Sequence, residues 1–159
     1  MACFLDIIIL HLQIKNRFMK ALIVSLSMFL YCSSLFAQTS DAIFKGRLSN
    51  KEHQIYLLIN FYESNITIPG GELFGELAGY LGDDKDSRKW LITDAKIKND
   101  KTAVLSIIND YGSEDLTATL VYNKKDGTYI LKQGEGSCIK IVRNRKFVKL
   151  PKNIVFIKQ

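Results

Sequence analysis

Downstream of residue 40 the chain alternates apolar and polar positions with period two. Ile55, Leu57, Ile59 and Phe61 alternate with Gln54, Tyr56, Leu58, Asn60 and Tyr62, which reads as a strand with one strongly apolar face. Ala42, Phe44, Gly46 and Leu48 alternate with Ile43, Lys45 and Arg47 in the same way. Further runs follow at Trp90 to Ile97, Ala103 to Ile107, Leu116 to Tyr122 and Tyr129 to Leu131. Cys138 to Val142 and Asn153 to Ile157 close the series. β-Branched and aromatic residues dominate these runs, as a pleated, half-buried surface favours.

The breaks between runs carry turn chemistry. Asn99-Asp100 lies between Lys98 and Lys101, and Lys124-Lys125-Asp126-Gly127 places Asp-Gly where a hairpin loop needs positive φ. Asn109 to Glu114 and Gly134 to Gly136 are also turn-rich. No apolar stripe of helical period extends beyond two turns. The pattern predicts a single all-β domain over 38–159, a small antiparallel meander that closes into a barrel or folds over into a sandwich. In outline it is similar to small exported barrels of the lipocalin or avidin kind. It has no signature residues of either, so the likeness is architectural and carries no function.

Gly71, Leu73, Gly75, Leu77, Gly79 and Leu81 alternate glycine with leucine. On a strand they would share one face, with Glu72, Phe74, Glu76, Ala78 and Tyr80 on the other. Repeated glycine on one side suggests sharp coiling or a neighbour's ring packed on the backbone. The expectation is a coiled strand here, with a Gly-rich loop as the alternative.

The first 37 residues read as an address rather than as fold. Ala21 to Ala37 is uncharged, follows Met19-Lys20 and ends in small and polar residues, the layout of a secretory signal peptide cleaved after Ala37. Its apolar run is short of the roughly 20 residues that a membrane-spanning helix prefers. Cys32 raises a lipoprotein reading, but the bulky Tyr31 ahead of it argues against lipidation. Asp6 and His11 are foreign to a signal core, which points to Met19 as the start of translation, with an unusually long leader as the alternative. The expected product is exported, periplasmic or secreted, with no membrane span.

Composition narrows the function classes. The chain has 159 residues, 47% hydrophobic and 24% charged, which suits one ordered domain and excludes a disordered tail. After Ala37 only one cysteine, Cys138, and one histidine, His53, remain. An internal disulfide is thereby excluded for the expected product, and so is a zinc site built on Cys and His. A nucleophilic triad would have to pair Cys138 with His53, and no Gly-x-Ser-x-Gly elbow is present. Asp83-Asp84-Lys85-Asp86 lacks the spaced oxygen ligands of a calcium loop. Glu72 and Glu76, if on one strand face, would stand about 13 Å apart, beyond the roughly 5 to 9.5 Å of glycosidase pairs. No catalytic group, metal or cofactor is therefore expected, and a hydrolase built from carboxylates on separate strands is the remote alternative.

Charge is the more informative pattern. From Gly136 onward the chain carries Lys140, Arg143, Arg145, Lys146, Lys149, Lys152 and Lys158 and no acid. Such polarity steers an anionic partner or guards a sheet edge against aggregation. Nucleic acid is not expected, because no aromatic-and-basic recognition motif is present. The leading expectation is a non-enzymatic binder of a macromolecular partner in the cell envelope, an envelope protein or an anionic envelope component, in the manner of an inhibitor or immunity-type protein. The surface expected to carry it comprises Arg143, Arg145, Lys146, Lys149, Asp110, Tyr111, Asp84 and Arg88. The alternative is a carrier of a small apolar ligand, with Phe61, Leu73, Leu77 and Trp90 lining a barrel cavity.

Overall fold

The computed structural model describes residues 42–159; the expected signal peptide, the Ala37 cleavage point, Cys32 and Met19 lie outside them. The described residues form ten strands: β1 (Lys45–Asn50), β2 (Ile55–Asn60), β3 (Gly79–Asp83), β4 (Trp90–Asn99), β5 (Thr102–Asn109), β6 (Asp115–Asn123), β7 (Thr128–Gly136), β8 (Lys140–Arg143), β9 (Lys146–Lys149) and β10 (Asn153–Lys158). Eight of them close an antiparallel barrel in the order β1-β10-β7-β6-β5-β4-β3-β2, and β8 and β9 form a separate hairpin. Of the two all-β forms expected, the barrel is the one observed.

Alternation explains closure. The inward positions are Leu48, Ile55, Leu57, Ile59, Leu81 and Ile92 on β1 to β4, and Leu105, Ile107, Leu120, Leu131, Ile154 and Phe156 on the remaining strands, all at or below 2% exposure. Eight strands enclose an interior just wide enough for side chains to fill, and here the fit is graded. Small Ala103 and Ala118 lie on adjacent β5 and β6, while bulky Tyr129 and Phe156 lie on adjacent β7 and β10. Fully burying one such side chain contributes roughly 1.5–3 kcal/mol, so this interior supplies most of what holds the sheet closed.

The strand expected over residues 71–81 is corrected. Glu72–Phe74 is a 3-10 turn and β3 begins only at Gly79. Gly70 (φ 74°) and Gly75 (φ 65°) adopt the left-handed conformation, which reverses the chain instead of extending it. The segment folds back through an isolated bridge between Ile66 and Leu77. Ile68 and Leu77 then pack with Tyr80 and Leu91 in a second apolar cluster, apart from the barrel interior. A ring does pack on a glycine backbone, but at Gly82, which lies beyond the 71–81 series and on the face opposite Gly79. Tyr56 lies directly opposite it, and a Cβ built on Gly82 would fall 2.4 Å from Tyr56 Cζ.

β1 and β10 meet at only two register positions, Leu48 with Lys158 and Ser49 with Ile157. Above them the backbone ladder stops, and Asn50 Nδ2 donates to the Val155 carbonyl at 2.7 Å in its place.

Candidate functional site

Because the strands run up and down, the β1–β2, β3–β4 and β5–β6 turns and the β8–β9 hairpin all emerge at one end of the barrel. The hairpin lies over that end. Ile139, Ile141 and Leu150, in and beside it, are buried with the barrel core.

Four polar links fix it there. Trp90 Nε1 donates to the Lys140 carbonyl at 3.0 Å. Gln133 bridges the hairpin's two legs: its Oε1 accepts from Ile139 N at 2.7 Å and its Nε2 donates to the Pro151 carbonyl at 2.8 Å. Arg143 donates to Asp83 and to the His53 carbonyl, each at 2.6 Å. Lys140 Nζ forms an ion pair with Glu114 in the β5–β6 turn. The hairpin reverses at Asn144 and Arg145, both at positive φ (51° and 62°), the two-residue geometry that suits strand twist.

A cleft of about 210 Å³ lies between the hairpin and the turns. Arg88, Lys89 and Trp90 line it from the β3–β4 side, Asp110, Tyr111 and Glu114 from the β5–β6 side, and Lys140 and Phe147 from the hairpin. Two aromatic rim residues are open to solvent, Tyr111 at 75% and Phe147 at 67% exposure. Arg88 is held in place twice. Its Nε and Nη2 donate to the two carboxylate oxygens of Asp86 at 2.8 and 3.2 Å, and its guanidinium lies 5.1 Å from the Phe147 ring centre. The hydrogen bond from Arg88 holds the Asp86 carboxyl below its ordinary range, and Asp86 raises Arg88 in return. The opposing turn is equally fixed: Lys89 N donates to Asp110 Oδ2 at 3.0 Å, and Asn109 Oδ1 accepts from Ser113 N at 2.9 Å. The cleft is thus a preset rim of one guanidinium and two aromatic rings, with acids and amines around it.

Of the expected partner-binding residues, Arg88, Asp110 and Tyr111 meet at this cleft. Arg143 acts beneath the hairpin as a tie, and Asp84 lies in the β3–β4 turn, 3.7 Å from Arg47. Arg145, Lys146 and Lys149 are exposed along the hairpin's outer leg. The four residues named for a ligand cavity separate. Phe61 and Trp90 belong to the barrel core, Leu77 packs in the second cluster, and Leu73 is fully exposed. Cys138 is partly buried and free, with Sγ 3.5 Å from the Leu150 carbonyl. Sequence reasoning missed Phe147, Lys89 and the Lys140–Glu114 pair. Asn144 between Ile141-Val142 and Phe147-Val148 is the hairpin signal that would have brought Phe147 to this end.

Among the described residues no group of three or more His, Cys, Asp or Glu is placed to hold a metal ion. No protein-family model, curated protein or solved structure matches the chain.

Proposed function

We propose that this protein is a non-enzymatic envelope binder that engages a protein partner through the capped end of the barrel. The observation that carries this reading is the cleft itself. Sites for drug-sized ligands run roughly 300–1,000 Å³, whereas this one measures about 210 Å³, room for one bulky side chain of a partner. Its rim offers an arginine and two aromatics on positions locked by hydrogen bonds, the composition of an interface hot spot. Rigid rims bind with little ordering cost.

The carrier alternative would need space within the barrel, and the inward positions are occupied by buried side chains, none more than 6% exposed. The binder reading also rests on the expectation of export, which would place the partner in the envelope or outside the cell.

The test is capture from envelope extract by the immobilised protein, compared with a Tyr111→Ala/Phe147→Ala variant. The expected result is one saturable partner held by the parent and lost by the variant. Equal capture by both, or capture of nothing, would sink the cleft as a binding site. Native mass spectrometry of the purified protein addresses the carrier reading; a co-purifying apolar mass would favour it instead.

A further inference from the structure

We infer that the outer leg of the β8–β9 hairpin is a docking surface for an anionic phospholipid bilayer. The observation is a strip of cations without counter-charges beside two exposed apolar side chains. Arg145, Lys146 and Lys149, with Lys152 just beyond β9, are all exposed, and among the described residues no ion pair engages any of them. The two remaining cations of the hairpin differ, since Lys140 is paired with Glu114 and Arg143 with Asp83. No acidic residue occurs anywhere from Gly136 to Gln159. Within the strip, Phe147 is 67% and Val148 44% exposed.

Two features separate a lipid surface from an acidic protein. Lysine is depleted at protein–protein interfaces, and three of the four cations are lysines on flexible stems whose ammonium groups make no hydrogen bond among the described residues. A bilayer demands no fixed geometry, since clustered cations attract its anionic headgroups and adjacent apolar side chains enter the headgroup boundary. The strip is also carried on a stable support. Ile139, Ile141 and Leu150 anchor the hairpin in the core, so its outer leg is presented at little ordering cost.

None of the four cations lines the cleft, so this inference stands apart from the partner reading. The two are linked only through Phe147, which borders both. Docking by the hairpin would bring the mouth of the cleft to the lipid surface, where a membrane-held partner is met.

The experiment is co-sedimentation of the purified full chain with phosphatidylcholine vesicles, with and without phosphatidylglycerol, at low and high salt. The parent is expected to bind only the anionic vesicles and to release as salt rises. Each cation near such a surface is worth about a fivefold factor in partitioning, so Arg145→Gln/Lys146→Gln/Lys149→Gln should weaken binding by roughly a hundredfold. These side chains are exposed and unpaired, so the fold is spared. The control is Lys98→Gln/Lys124→Gln/Lys125→Gln, which removes the same charge at the opposite end of the barrel and should leave most of the binding intact. Equal loss in both variants, no loss in the hairpin variant, or equal binding to neutral vesicles would overturn the assignment. So would hairpin-dependent binding to a DNA duplex or to polyglutamate with none to vesicles.

Discussion

Arg143 and Asp83 lie sixty residues apart in sequence and are joined at 2.6 Å between Nη1 and Oδ2, with the Asp83 side chain only 3% exposed. The same guanidinium donates to the His53 carbonyl at 2.6 Å, so one side chain ties the hairpin to the β1–β2 turn and to the end of β3. Removing the cation strands a buried carboxylate. Breaking a fully buried pair costs roughly 3–5 kcal/mol, and Arg143 retains some solvent at 26% exposure. Arg143→Met should therefore cost about 2–3 kcal/mol in urea denaturation. Pairing it with Asp83→Asn should recover part of that loss, because the orphaned charge is then gone.

Gln133 joins both legs of the hairpin, so Gln133→Leu leaves the Ile139 amide and the Pro151 carbonyl without their partners. A buried donor left unmade costs about 1–3 kcal/mol. The expected signature is local: hydrogen exchange at Ile139 and Leu150 quickens by an order of magnitude or more, while amides in β5 and β6 stay protected.

Gly82 is required by the Tyr56 ring, which a Cβ would meet at 2.4 Å. Gly82→Ala should destabilise by roughly 1–3 kcal/mol, the range for overpacking. Tyr56→Ala in the same chain should relieve the clash, making the double variant less unstable than the two single effects combined. Gly79→Ala should find no such relief, since its Cβ would lie 2.3 Å from the backbone carbonyl oxygen of Leu58.

Burial, assisted by the neighbouring Tyr56 hydroxyl, pushes the Tyr80 pKa up from 10.0 to about 12. The folded state therefore holds the phenolic proton more tightly than the unfolded chain does. Stability from this group is complete below pH 10 and falls as pH rises towards 12. Denaturation curves should show the parent declining more steeply across that window than Tyr80→Phe.

Tyr111 and Phe147 are 75% and 67% exposed, so replacing both with alanine should shift stability by no more than about 0.5 kcal/mol each. An unchanged thermal midpoint would let any binding loss be assigned to the rim.

Where one face of a strand is buried and the other wet, sequence alone revealed the fold. Ile55 to Ile59 and Leu116 to Leu120 alternate because a slip of one residue would turn their apolar sets to solvent. The same rule misled at Gly71 to Leu81. There the glycines at 70 and 75 serve left-handed turns, and periodicity does not distinguish them from glycines in a strand. β9 was illegible because all four of its residues are exposed and no buried face imposes a period. The site was legible where turn position sufficed, as for Arg88, Asp110 and Tyr111. It was not where distant segments had to meet, as when Trp90 reaches the Lys140 carbonyl across fifty residues. The sequence pattern points to Asp84, whereas it is Asp83 that shares the inward side of Leu81, Asp84 lying past the end of β3.

The two-position junction between β1 and β10 bears on how the chain comes off the ribosome. Asn50 and Val155 are 105 residues apart, so the final strand must be synthesised before the cylinder shuts. Until then β1 and β7 present bare margins, both ready templates for a neighbouring nascent molecule. Shortening the chain by its last strand would therefore yield a sticky product rather than a merely weaker one.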